Sequence, residues 1–281
     1  MTAASLPFTP LTRALPDLGW WTAYFRDAEI PVLAETASEL ELLRANEDAV
    51  DANMLGEMIA RDPLMTLKVM AHVASNRPSS RVTDAETVTA ALVLTGITPF
   101  FRDFGPQPTV EERFADQPEA LDGLYQVIKR AERAANFAMG FALMRMDHDA
   151  PVIYSAALLH DFAEMLLWCH APALALDIQA RQRADSTLRS AVAQREVLNI
   201  KLTDLEHSLM QAWHLPELLV RITDDRPTTN PQVLTVKLAI QLARHTANGW
   251  DNAAVPDDVK EISQLLNMAE GPTLATLLEM E

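Results

Sequence analysis

The chain has 281 residues and is 49% hydrophobic, enough to bury a substantial core as one domain or as two closely packed lobes. Its formal net charge of −16 repels phosphate backbones, and no basic patch offsets it, because Lys129-Arg130 and Arg181/Arg183 are interleaved with acids or apolar residues. Proline (17) outnumbers glycine (8), and neither GxGxxG nor GxxxxGKS/T occurs, so Rossmann and P-loop sites lack support.

The opening run, MTAASLPFTPLTRALPDL, is broken by prolines and lacks an apolar core, so it is not read as a signal peptide. Residues 1–28 are expected to form an N-terminal arm, with Trp20-Trp21-Thr22-Ala23-Tyr24-Phe25 as a short helix packed on the body. Residues 29–104 are expected to form a first helical lobe. Within it Met54, Leu55, Met58 and Ile59 recur at helical spacing behind Asp51 as N-cap. Asp62-Pro63 ends that helix and starts another, whose stripe is Leu64, Leu67, Met70, Ala71 and Ala74. A third helix is expected after Thr83-Asp84, running through Val88, Ala91, Leu92 and Leu94 to Gly96 as its C′ residue.

GPQPTVEERFADQ, at 105–117, holds two prolines, a glycine and several charges without an apolar period, and reads as a linker. The second lobe, 118–281, is expected to open with a long helix to about 146 and a further one from Pro151 to about Trp168. Helical patterns follow near 172–183, 187–197, 203–213, 231–247, 256–268 and 272–280. Alternating strand patterns are nearly absent, so the fold class is all-α.

Cys169 is the only cysteine, which excludes an intramolecular disulfide and suits an intracellular location. Within Leu166-Leu167-Trp168-Cys169 it reads as a small buried hydrophobe. The most apolar stretch, 152–170, carries His160, Asp161 and Glu164 and is not expected to span a membrane. The expectation is a cytoplasmic protein without membrane or nucleic-acid contacts.

Several segments follow one another in a telling order: Ile30-Pro31-Val32-Leu33, Leu55-Gly56-Glu57-Met58-Ile59-Ala60-Arg61-Asp62-Pro63-Leu64, Ala74-Ser75-Asn76, and Thr87 through Ile97 with its Leu94-Thr95-Gly96-Ile97 end. Later come Ala156-Ala157-Leu158-Leu159-His160-Asp161-Phe162 and Trp213-His214-Leu215-Pro216. The ordered set, over about residues 30–247, resembles the HDOD family, the HD-related output domains of bacterial signalling proteins. The resemblance implies a multi-helix HD-like bundle with an N-terminal helical lobe.

It also implies kinship with HD-type metal-dependent phosphohydrolases. These hold divalent metal with an earlier-helix histidine, a His-Asp pair and a later aspartate, and the metal activates a water for attack on phosphorus. Here the early histidine is expected near Arg130-Ala131, yet no histidine occurs between His72 and His148. Ala239-Ile240 stands where Ala-Asp is usual, Asp224-Asp225 where paired histidines are common, and Ala163-Glu164 where Gly-Lys follows the His-Asp pair. Only His160-Asp161 remains, as a degenerate remnant.

That pair could still bind metal with Glu164 across one helix face. The alternative is a buried, hydrogen-bonded pair. His148-Asp149 reads as helix-start chemistry, His207 and His214 as a partly exposed polar face or a pH-sensitive contact, and Asp224-Asp225 as a solvated turn with cation binding as its alternative. No GxSxG occurs, and the 12 methionines read as core or interface filler.

The resulting expectation is a non-catalytic regulatory module without metal or cofactor, acting on a protein partner supplied in trans. The rival is a divergent metal-dependent phosphohydrolase or nucleotide-sensing domain using His160, Asp161, Glu164 and one of Asp224 or Asp225. A third option is a homodimer formed through the Trp20-Trp21 arm.

Overall fold

Helix after helix is set off by a proline or a capping side chain, which is how so glycine-poor a chain turns its corners. The computed structural model describes residues 8–76, 85–185, 187–222 and 228–280. Among them the regular elements are helices, joined by one isolated parallel bridge between Val32 and Thr109.

The arm carries α1 (Leu18–Asp27), capped where Asp17 accepts the Trp20 N–H. Trp21 and Phe25 are buried and stacked, and Trp21 Nε1 donates to the Leu198 carbonyl at 2.9 Å, while Trp20 stays exposed. Residues 29–104 hold α2 (Ala34–Arg44), a 3-10 turn (Glu47–Ala49), α3 (Ala52–Ile59), α4 (Pro63–Ser75), α5 (Val88–Thr95) and α6 (Ile97–Asp103). Asp51 caps α3 as expected. Asp62 caps α4 through Oδ1 and also ties down Leu33 N–H through Oδ2, so one buried carboxylate orients two chain segments. Thr87 caps α5, whereas the expected start at Thr83-Asp84 lies outside the described residues. Gly96 ends α5 at φ 87, a conformation open to glycine at little cost, and α6 begins at the next residue.

Residues 105–117 do not behave as a free connector. They form a single turn, α7 (Val110–Arg113), and bury Val110 and Phe114. The two apolar residues lie one helical turn apart, too few to show as a period in sequence.

The second lobe comprises α8 (Pro118–Met144), α9 (Ala150–Leu158), α10 (Phe162–His170), α11 (Pro172–Ala184), α12 (Ser190–Leu198), α13 (Leu202–Ala212), α14 (Glu217–Ile222), α15 (Pro231–His245), α16 (Val255–Leu266) and α17 (Glu270–Glu279). Helices α8, α9 and α15 pack mutually at its centre, α10 lies against α8 and α13, and α4 joins the first lobe to α8 and α10. The single helix expected from Pro151 to Trp168 is two helices. Leu159, His160 and Asp161 form a turn between them, from which Asp161 makes ion pairs to Arg130 and Arg244. The span Ala150–His170 is long and apolar enough to cross a membrane by length and composition, yet most of it is buried in this core.

Candidate functional site

The break between α9 and α10 aims two side chains at the long helix α8. His160 donates its Nδ1–H to the Ala157 carbonyl at 2.6 Å, a bond that fixes a proton on Nδ1 because a carbonyl can only accept. Its Nε2 is buried 2.9 Å from Asp161 Oδ2, in a contact that lacks the alignment of a hydrogen bond.

Asp161 is gripped from two sides. Arg130, on α8, donates Nε–H and an Nη2–H to Oδ2 at 2.9 and 2.7 Å, and another Nη2–H to Glu164 Oε2 at 2.8 Å. Arg244, near the end of α15, donates to Oδ1 at 2.6 Å. Burial alone would raise the Asp161 carboxyl, but the charges of His160, Arg244 and Arg130 hold it well below the ordinary carboxylate range. Glu164 moves the other way: burial raises it, against the pull of Arg130.

A second carboxyl, Glu206 on α13, is buried at 4% exposure. It faces the Ala163 N–H in the first turn of α10. Burial first, then repulsion from Asp161, raise it well above the usual glutamate value, with Arg244 opposing.

These groups form the floor of a cavity of about 550 Å³ enclosed by α8, α10, α11, α12, α13 and the end of α15. Leu167, Trp168, Ile178 and Leu202 give it apolar walls, and glutamines such as Gln179 and Gln194 stand among its polar lining. Trp168 takes its place because Gly123 has no side chain: a Cβ there would lie 2.3 Å from the indole Cη2.

The remaining suspects lie apart from this floor. Asp149 occupies the N-cap position of α9 without capping it by its side chain, and accepts from Gln232 Nε2 instead, while Asp147 takes the Asp149 N–H. His207 contacts Gln211 on α13, and His214 sits past the helix end at φ 55. Asp224-Asp225 lies outside the described residues. Ala239 is buried core, and Ile240 is half-buried. Cys169 is buried, and burial pushes its thiol up to about 12, which suits a core residue and not a nucleophile. Among the described residues no three His, Cys, Asp or Glu side chains converge as metal ligands do.

Three residues of the floor escaped the sequence reading as site residues: Arg130, Arg244 and Glu206. Glu206 did leave a signal, a charge flanked by Leu202, Leu205, Leu209 and Met210 on the apolar side of α13.

An all-helical bundle whose core helix breaks at a His-Asp turn defines an HD-like protein. The HDOD domain profile matches residues 30–226, most of the chain, which therefore belongs to the HDOD domain family. No curated protein matches it. Among solved structures, the MmoQ response regulator of Methylococcus capsulatus superposes with a TM-score of 0.64 at 18% identity, covering 90% of this chain and 99% of that one. A virulence factor of Campylobacter jejuni superposes with a TM-score of 0.61 at 17% identity, over 93% of this chain and 94% of that one. At such identities the likeness concerns the fold.

Proposed function

We propose that this HDOD protein is a non-catalytic signalling module in which guanidinium groups occupy the place of the phosphohydrolase metal. The observation that carries the reading is the grip of Arg130 and Arg244 on Asp161. A divalent ion needs carboxylate and imidazole lone pairs converging on one point. Here both oxygens of Asp161 accept guanidinium hydrogens, which leaves His160 Nε2, 2.9 Å from Oδ2, as the single imidazole donor at the turn. The residues present do not fit a divalent ion, which would have to displace two permanent cations from the one remaining carboxylate of the pair.

A module without turnover acts through contacts. A groove of about 980 Å³ runs between α3, α5 and α9, lined by Val93, Leu94, Met139 and Tyr154, and Val93 is 68% exposed. Its helical walls and apolar lining suit an amphipathic helix of a partner protein, laid in by its apolar face. The acidic chain has no affinity for nucleic acid in this reading and works in the cytoplasm.

The test is metal analysis of the purified full chain together with hydrolysis assays on cyclic dinucleotides and nucleotides, with Mg²⁺ or Mn²⁺ added. The expected result is substoichiometric metal and no turnover. Stoichiometric metal with turnover abolished by His160→Ala would establish the divergent phosphohydrolase instead.

A further inference from the structure

The floor of the α8–α13 cavity has an unequal distribution of charge. Asp161 and Glu164 are each held by Arg130, and Asp161 also by Arg244. Arg130 and Arg244 thus answer these two carboxylates, with the His160 imidazole 2.9 Å from Asp161 as a further partner. Glu206 is left over: it is almost wholly buried, it lines the same cavity, and among the described residues no ion pair reaches it. The Ala163 N–H faces it from the start of α10.

A carboxyl in that position has two self-consistent states. With the cavity filled by water it holds its proton, since an isolated buried carboxylate is costly. With a cation beside it, it ionises and the floor stays neutral. The walls limit what that cation can be. Trp168, Leu167, Ile178 and Leu202 offer apolar surface to a small organic body, and the cavity volume suits a small-molecule site.

We propose that this cavity binds a small organic monocation, a primary ammonium on an apolar or aromatic body, with its charge on Glu206 and its body against Trp168. Binding is written as Glu206–COOH plus R–NH₃⁺ giving the Glu206–COO⁻ · ⁺H₃N–R pair plus one released proton. The charged groups facing Glu206 are Asp161 and Glu164 from the start of α10, which favour an incoming cation, and Arg244 from α15, which opposes it but is committed to Asp161. This inference rests on the arginine-filled reading of the site, because a bound metal would supply the missing cation itself.

The experiment uses the intact chain and three probes of one shape: benzylammonium, benzyl alcohol and benzoate. Calorimetry in two buffers of different ionisation enthalpy reads affinity and protons released. Benzylammonium is expected to bind with release of up to one proton, its affinity rising by as much as about tenfold per pH unit while Glu206 remains protonated in the free protein. Glu206→Gln, a neutral isostere of the protonated carboxyl, is expected to keep the melting temperature and lose both binding and proton release. No binding of benzylammonium, binding without proton release, or benzoate binding in its place overturns the proposal. Metal content of the same sample separates the failures: stoichiometric metal defeats the reading beneath, whereas metal-free protein that ignores benzylammonium defeats this inference alone.

Discussion

Replacing Asp161 by asparagine distinguishes a carboxylate held by arginines from one waiting for a metal. In a metal site emptied of its ion, carboxylates repel one another, and removing one charge relieves the fold. In this protein the carboxylate is the anion that two guanidiniums share, at 2.6 to 2.9 Å, with its side chain 7% exposed. Asparagine preserves the shape, so no cavity term enters, but its NH₂ confronts donors that need acceptors. Leaving a buried charge without its partner costs about 3–5 kcal/mol. Two features reduce this: Arg130 keeps Glu164, and Arg244, 52% exposed, can turn to water. The expected loss is therefore about 2–4 kcal/mol, or roughly 5–15 °C in melting temperature for a chain of this size. Because the Asp161 pKa is depressed in the fold, its contribution is fully present above the unfolded value near 3.8 and is lost only as pH falls through the lower folded value. Urea melts of both proteins at pH 7 and pH 5 should thus differ by the same amount. An Asp161→Asn protein as stable as the wild type, or more so, would refute the reasoning.

Gly123→Ala forces a methyl into the Trp168 ring, with contacts of 2.3 to 2.6 Å, and should cost about 1–3 kcal/mol by overpacking, read as a lowered urea midpoint with an altered tryptophan spectrum. His170 is buried beside Arg113, and burial, then that charge, lower it to about 4. The unfolded chain takes up this proton near pH 6.5 and the fold does not until about 4, so the stability it protects is complete above 6.5 and falls by roughly 3 kcal/mol down to 4. His170→Gln should flatten that slope in melts across the interval, and an unchanged slope would assign it to other groups. Val93→Glu, at an exposed position, should leave stability within about 0.5 kcal/mol while abolishing partner binding, and retention of the partner would place the interface elsewhere.

Legibility in the sequence followed the range of the interactions. Asp51 and Asp62-Pro63 act within four residues, and their caps appear where the sequence places them. Helix α8 carries a long apolar period and ends within two residues of its expected limit. By contrast α2 has only Thr36 and Leu40 buried, and α6 is a short run behind Gly96, so neither has a period to read. The turn at His160-Asp161 was hidden by apolar residues on both sides, because what breaks the helix is tertiary: guanidiniums from 31 residues earlier and 83 residues later. The same distance concealed the site. The absence of a histidine at Arg130 was visible, but that the arginine reaches Asp161 was not.

In the proposed module arginines stand for metal ligands, which changes what the turn can respond to. A divalent ion binds only when its ligands are deprotonated, so a metal site follows pH and metal supply. A guanidinium stays charged at any physiological pH and is covalently attached, so the cation beside Asp161 does not depend on supply. The α9–α10 turn is accordingly tied to α8 and α15 for as long as Asp161 is ionised. Variability then resides in the one carboxyl the arginines do not reach. Glu206 faces the Ala163 N–H, two residues past Asp161, so a change in its ionisation acts on the first turn of α10. A cation entering the cavity is thereby coupled to α10, and α10 touches α4 of the first lobe. In the proposed module this is a short physical route from the Asp161 turn to the groove beside α3 and α5, and it needs no catalytic step.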